Sequence, residues 1–217
     1  MLATFLFEFG AALYVLWRYK FNLLTRLVVV MLLSLGLFQL AEYMLCGGIG
    51  IASPDWARLG YVSITLLPVV GIHIIATLAG KKLPVLIYSA YTSMVLVALY
   101  FALAPGAINA HECRPNYAVF DMSHMSVLLY GIYYYGWLIT GVFLSLLWSR
   151  DNKQTGVALR ALCIGYVLFM FPTATVNLIA PETTAAIPSI MCGFAVILAI
   201  ILVFVVMPTS RVTRRKR

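Results

Sequence analysis

The chain has 217 residues, of which 63% are hydrophobic and only 10% are charged, and its mean hydropathy is +0.99. This composition excludes a soluble globular domain of the same length and indicates an integral membrane protein. The formal net charge of +8 does not indicate nucleic-acid binding, because the basic residues lie in short turns and at the C-terminus and not along one amphipathic face.

Apolar stretches of about 20 residues, the length that crosses a hydrocarbon core, recur along the whole chain. They predict an all-α bundle of seven transmembrane helices over residues 1–17, 25–46, 57–79, 83–103, 123–148, 156–180 and 184–208. We therefore expect one membrane domain, residues 1–208, followed by a basic tail, residues 209–217.

The first two spans each carry a carboxyl group. Glu8 lies in the first span and Glu42 in the second, where Gln39 precedes it by three residues and so shares its helix face. An ionised carboxylate in a bilayer costs at least about 2.5 kcal/mol, so each glutamate should face the protein interior, be paired or be protonated. Two interpretations stay open: the carboxyl groups form a ligand or proton site, or each one simply hydrogen-bonds a neighbouring helix.

The third and fourth spans supply aromatic side chains and a histidine. Trp56, Tyr61 and Tyr100 lie near the predicted outer interface and are expected to be interfacial anchors. Pro68 predicts a kink inside the third span. His73 belongs to the inner half and is expected to be a structural interhelical hydrogen bonder. Its candidate neighbours are Thr77, Tyr88, Ser89 and Thr92.

The longest connecting segment covers residues 104–122. His111, Glu112, Asp121 and His124 are able to bind metal, but their pattern matches no metalloprotease motif and predicts an ordinary polar loop over the outer face. The chain has no CxxC pair. Cys46 and Cys113 both map to the outer side, where oxidation is permitted, so a disulfide fastening this loop to the second helix is expected.

The fifth and sixth spans complete a possible pocket. Gly131, Gly136 and Gly141 predict close helix packing. Counted at about 1.5 Å per residue from the outer helix ends, Glu42 lies about 6 Å deep, Glu8 about 10 Å and Asn177 about 5 Å. The sequence therefore predicts an outer-half pocket, and its candidate ligand-binding residues are Glu42, Gln39, Glu8, Asn177, Tyr130 and Tyr134, with Tyr133 beside them.

The distribution of basic residues predicts the topology. All 15 lysines and arginines except Arg58 and Arg114 fall in alternate connections or in the C-terminal tail. The positive-inside rule then places the N-terminus outside and the C-terminus in the cytoplasm. The expected location is the inner (plasma) membrane.

Three short runs carry a resemblance to known proteins. FQLAEY in the second span, WARLGYVSITLLP in the third and IPSIMCGFA in the seventh resemble small bacterial seven-helix membrane proteins of unknown function. The WxRxxY…LLP run is also similar to the N-terminal seven-helix sensor region of some bacterial histidine kinases. Those kinases carry a cytoplasmic catalytic domain after the seventh helix, whereas this chain stops at Arg217, so the resemblance implies a sensor that signals through a separate partner.

The leading functional hypothesis is a ligand-sensing or small-molecule-binding membrane module. A small-solute or proton-coupled transporter is the second hypothesis, and an intramembrane enzyme is the third. The sequence shows neither a G-x-S-x-G motif nor a Walker loop, which disfavours the enzyme, and it leaves any cofactor unidentified.

Overall fold

The computed structural model describes residues 1–50, 53, 55–108, 110–114, 117–151, 153–179 and 187–210. Within these ranges, the side chains of residues 110, 153, 154, 172–174 and 176–178 lie outside the description. Asn177 therefore belongs to a described helix, but the contacts of its side chain are not assigned.

Seven long helices and one short hairpin make up the described part of the chain. The helices are α1 Leu2–Arg18, α2 Leu23–Leu45, α3 Asp55–Ala79, α4 Pro84–Leu103, α5 His124–Trp148, α6 Lys153–Ile179 and α7 Ile187–Ile201. Helix α7 continues through a π-helical segment, Leu202–Val206, into a last α-helical turn, Met207–Thr209. Strands β1 Ala110–Cys113 and β2 Ala118–Asp121 pair antiparallel between α4 and α5, where the sequence predicted an irregular loop.

Successive helices alternate in direction, so the bundle has two chemically distinct ends. The hairpin end carries the N-terminus, the β1–β2 hairpin and the first residues of α3, α5 and α7. The basic end carries the α1–α2, α3–α4 and α5–α6 connections, where Lys81 forms an ion pair of 3.0 Å with Asp151. Side chains fix helix starts at both ends, because Asn22 accepts from the Thr25 N–H at the start of α2 and Ser123 accepts from the Ser126 N–H at the start of α5.

Five described helices are long and apolar enough to cross a membrane: α2, α3, α4, α5 and α7 with its continuation to Thr209. Helix α1 has 17 residues, and the apolar part of α6 is the shorter stretch Thr155–Phe171. The all-α prediction is thus confirmed. The prediction of seven spans is supported for five of them and stays a prediction for α1 and α6.

Helix α1 buries a charged residue type and exposes large apolar side chains, which is the reverse of a surface helix on a water-soluble protein. Its buried residues are Glu8, Ala12 and Val15, which share one face, whereas large apolar side chains such as Leu6 and Leu13 are exposed. This pattern is expected where the surrounding medium is hydrocarbon and the protein interior is the more polar environment.

Helices α2 and α3 form the centre of the bundle, and small residues allow their close approach. A methyl group added to Gly60 of α3 would lie 3.2 Å from the Phe38 ring of α2. One added to Gly71 would collide with the hydroxyl oxygen of Tyr166, a buried residue of α6. Gly71 therefore leaves the space that the Tyr166 side chain occupies.

The three glycines of α5 differ from each other. Gly141 does allow close packing, because an added methyl group would lie 3.3 Å from both Ile75 and Tyr166. For Gly131 and Gly136 the packing prediction is wrong, since open space surrounds both. Gly136 borders a groove of about 780 Å³ between α4 and α5, across which the Trp137 indole donates to Ser93.

We predict that Gly71→Ala destabilises the folded protein by about 1–3 kcal/mol, because the added methyl group overpacks the site of the Tyr166 hydroxyl. The check is the midpoint of thermal unfolding in detergent. In the double variant Gly71→Ala/Tyr166→Phe, part of the lost stability should return, because the second substitution removes the colliding oxygen. Gly10→Ala is the matched control, because nothing lies within 4 Å of its added methyl group. Equal midpoints for Gly71→Ala and Gly10→Ala would contradict this account.

Candidate functional site

The hairpin covers a group of buried polar side chains at one end of the bundle. Glu42 lies near the end of α2, with Gln39 three residues before it on the same face, and both are buried, Glu42 being only 2% exposed. The placement of Glu42 inside the protein, away from lipid, is the one that the energetic argument from the sequence required.

A disulfide fastens the hairpin directly above Glu42. Cys46 caps α2 four residues after Glu42 and is bonded to Cys113 of β1, with a Cα–Cα distance of 5.8 Å. This confirms the predicted pairing. Cys113 is in turn paired with Ala118 in the hairpin, so the disulfide fixes the strand that reaches into the bundle.

The hairpin supplies hydrogen-bonding groups to Glu42. The N–H of Ala118 donates to the Ser189 hydroxyl of α7 at 3.0 Å. Both that N–H and the Ser189 hydroxyl lie within hydrogen-bonding reach of the Glu42 carboxyl group. The other carboxyl oxygen, Oε1, is buried and has no hydrogen-bond partner within the described part of the chain. Glu42 is thus held on one side and open to a further partner on the other.

Glu8 reaches the same interior from α1. Its exposed fraction is 0%, and its Cβ lies 3.6 Å from the position of a methyl group added to Gly36 of α2. Gly36 is six residues before Glu42, so the two glutamates are offset by about 9 Å along α2. Neither oxygen of Glu8 has a hydrogen-bond partner among the described residues.

Cys192 of α7 is a further buried polar side chain in this half of the bundle. Its thiol follows Ser189 by one helical turn and lies within electrostatic range of both Glu42 and Glu8. Neither Cys192 nor Ser189 was among the residues predicted for the site. The available signal was their spacing of three residues in the seventh span, which places both on one helix face.

Aromatic rings close the site laterally. Tyr61 of α3 is 0% exposed, so its prediction as an interfacial anchor is wrong. It lies two turns inside α3, and its ring packs against Phe101, Phe120 and Tyr130 at centroid distances of 4.9, 5.1 and 5.4 Å. It is within electrostatic range of Glu42, and its hydroxyl has no described hydrogen-bond partner. At a membrane interface, that hydroxyl would hydrogen-bond to water.

Tyr130 and Tyr134 border a small cavity between α3, α5 and α7. Its volume is about 100 Å³, and Ile64, Pro188 and Met191 contribute apolar walls. Both tyrosines are also within electrostatic range of Cys192. Their neighbour Tyr133 instead donates to the backbone carbonyl of Thr65 at 2.6 Å, close to the point where Pro68 interrupts the hydrogen bonding of α3.

Two other groups of candidates lie outside this site. His73 makes the expected interhelical hydrogen bond, but its partner is the Tyr91 hydroxyl of α4 at 3.0 Å, which was not among the predicted neighbours. His111, Asp121 and His124 are exposed on or beside the hairpin, and no group of three or more metal-binding side chains converges in the described part of the chain.

Of the six predicted binding residues, five are buried in the hairpin half of the bundle: Glu8, Gln39, Glu42, Tyr130 and Tyr134. Asn177 is the sixth, and its side chain lies outside the described residues. The three carboxyl oxygens that have no hydrogen-bond partner among the described residues are strong acceptors in a place that solvent does not reach. Such a set of acceptors is suited to a proton or to a small cation with N–H groups.

We predict that removing the disulfide with the Cys46→Ala/Cys113→Ala double variant loosens the hairpin and exposes the interior beneath it. Cys192 should then react with a membrane-impermeant methanethiosulfonate reagent, whereas in the wild-type protein it is shielded. Peptide mass spectrometry measures the modified fraction. Cys163, buried on α6, is the internal control and should react equally in both proteins. An unchanged Cys192 signal would mean that the hairpin stays closed without the bond.

No protein-family model, curated protein or solved structure matches this chain. The resemblance to a kinase sensor region therefore stays a prediction, and the function is argued from the geometry of the site.

Proposed function

We propose that the chain is a seven-span inner-membrane protein, with its N-terminus outside and its C-terminus in the cytoplasm, that binds a small ligand beneath the hairpin and senses it. The observation that carries the proposal is the pair of buried glutamates. Glu8 and Glu42 come from different helices and turn into the same interior, and three of their carboxyl oxygens have no hydrogen-bond partner within the described residues. Intramembrane ionisable groups of this kind are costly to keep and commonly mark a functional site.

The chemistry of the site favours a small ammonium ion as the ligand. Carboxyl oxygens accept N–H hydrogen bonds and balance the positive charge, and the faces of Tyr130 and Tyr134 offer cation–π contact. The cavity that Tyr130 and Tyr134 border has a volume of about 100 Å³, which is enough for a ligand of only a few heavy atoms. Methylammonium has the right charge, donors and size to serve as a probe.

Contacts between the hairpin, α2 and α7 suggest how binding is sensed. Glu42 of α2, Ala118 of β2 and Ser189 of α7 form one hydrogen-bonded group, so a ligand that competes for the Glu42 carboxyl changes the contact with α7. Helix α7 runs from this contact to the basic end, where the tail would meet a separate signalling partner. Similarity of the WxRxxY…LLP run to the sensor region of some histidine kinases supports the same reading.

A proton-coupled carrier is the second candidate function. Buried hydroxyl groups continue from the site toward the basic end, as Tyr166 and Ser145 do, and a carrier needs polar groups along its path. Uptake of labelled methylammonium into proteoliposomes separates the two functions, because a sensor binds the ion without moving it across the membrane.

For the topology, we predict that alkaline phosphatase fused after Arg217 is inactive and that a green fluorescent protein at the same place is fluorescent. The reason is the concentration of basic residues at that end of the bundle. A phosphatase fused at Gly106, after α4, is the matched control and should be active. The opposite pattern at the two sites would reverse the orientation.

For the site, we predict that methylammonium chloride raises the thermal unfolding midpoint of the wild-type protein above that in sodium chloride of equal ionic strength, and that Glu42→Gln abolishes the increase. The substitution keeps the shape and removes the negative charge. Glu112→Gln is the matched control, because Glu112 is an exposed hairpin residue paired with Arg114 and should leave the increase intact.

A second substitution separates binding from folding. The buried Glu42 oxygen that has no partner among the described residues destabilises the folded state by about 1–3 kcal/mol, and Glu42→Leu removes it. The protein should therefore remain folded while the methylammonium effect is lost. If both Glu42→Gln and Glu42→Leu respond to methylammonium as the wild-type protein does, Glu42 is not the centre of the site.

A further inference from the structure

Buried hydroxyl groups without partners continue from the carboxyl groups through the bundle interior. The hydroxyls of Tyr61, Tyr130, Tyr166 and Ser145 are all inaccessible to solvent and make no hydrogen bond within the described part of the chain. They come from three different helices, α3, α5 and α6. Since a buried hydroxyl without a partner loses the hydrogen bond that water would give it, four of them in one bundle call for an explanation.

These side chains follow one another in space, beginning at Glu42. Tyr61 lies within electrostatic range of Glu42, and its ring is 5.4 Å from that of Tyr130. Tyr130 stacks on Tyr134 at 5.2 Å, and Tyr134 is within electrostatic range of Tyr166.

The series continues toward the basic end. The ring of Tyr166 lies 3.3 Å from the position of a methyl group added to Gly141, and Ser145 is the next turn of α5 after Gly141. Gly141 is 17 residues into α5, or about 25 Å from the hairpin end. Tyr166 packs beside Gly141, so its ring lies in the basic half of the bundle.

A polar cavity opens beyond Ser145. Trp148, one turn further along α5, borders a cavity of about 370 Å³ at the basic end. Its other polar walls are Asn22, Thr77, Asp151, Thr155 and Ser210. Asp151 is about half exposed, so water from that side of the membrane reaches this cavity. The hydroxyl series thus runs from the carboxyl groups to Ser145, one turn of α5 before Trp148 at the wall of this cavity.

We propose that water molecules join these hydroxyls into a hydrogen-bonded chain that conducts protons between the Glu8–Glu42 pair and the basic-end cavity. The entrance of this pathway is the proposed ligand site, so the inference rests on the proposed function for its starting point. Lipid tails offer no hydrogen bonds to these groups, and no side chain in the described ranges supplies them, whereas a bound water makes two to four.

The transfer needs no reactant other than the proton. The neutral carboxyl group of Glu42 gives its proton to the next oxygen in the chain, and each water or hydroxyl oxygen accepts one proton and releases another to the following oxygen. Only O–H bonds break and form. The Glu42 carboxylate then takes a new proton from the hairpin side. One positive charge crosses the membrane for each cycle, so a counter-ion has to cross as well.

The test uses the purified full chain in liposomes that contain a pH-sensitive dye, with a potassium gradient and valinomycin to carry the compensating charge. Protons should enter faster than in protein-free liposomes. Tyr166→Phe removes one oxygen from the chain and should lower the rate about tenfold or more, the effect of breaking one link. Tyr88→Phe is the matched control, because Tyr88 is 74% exposed on α4, and its rate should equal that of the wild-type protein.

Two outcomes would overturn the pathway: a wild-type rate no higher than that of protein-free liposomes, and a Tyr166→Phe rate equal to that of the wild-type protein. If Tyr166→Phe does not fold, Ser145→Ala also removes a single oxygen and carries the same expectation. Methylammonium-induced stabilisation distinguishes this inference from the proposed function. If the protein binds methylammonium but conducts no protons, the proposed ligand site is supported and the proton pathway is contradicted. If it conducts protons without binding methylammonium, the pathway is supported and the ligand site is contradicted.

Discussion

The buried carboxyl group of Glu42 is the constraint on which the hairpin half of the bundle depends. A carboxyl group removed from water destabilises the fold unless neighbouring dipoles compensate, and here the compensating groups are the Ala118 N–H and the Ser189 hydroxyl. Ala118 pairs with Cys113 in the hairpin, and the Cys46–Cys113 bond fastens that strand to α2. Glutamate, hairpin, disulfide and α7 therefore form one structural unit.

The bundle buries polar groups and exposes large apolar side chains. Helix α1 buries Glu8 and exposes Leu6 and Leu13, and large apolar side chains are likewise exposed on α4 and α5. In a hydrocarbon medium, the interior is the one place where polar groups find partners. Several carboxyl oxygens and hydroxyls inside the bundle have no hydrogen-bond partner among the described residues, and ligands, protons or water would bind them there.

Three separate sequence runs contribute polar residues to this half of the bundle. FQLAEY contributes Gln39 and Glu42, WARLGYVSITLLP contributes Tyr61, and IPSIMCGFA contributes Ser189 and Cys192. These runs are far apart in the chain and lie on three different helices. Their meeting beneath the hairpin supports a shared role in one binding site, since local packing alone would not require the polar members of all three runs to face each other.

Hydrophobic length is a local property, so the apolar spans alone predicted the helices, and the predicted ends lie within a few residues of those of the described helices. The cost of a carboxylate in lipid likewise indicated that Glu8 and Glu42 face the interior, are paired or are protonated. Which helices meet depends on the three-dimensional packing. Tyr61 is a core residue and not an anchor, His73 bonds Tyr91, and Cys192 is buried within electrostatic range of both glutamates. Each of these placements depends on helix rotation and packing that periodicity does not encode.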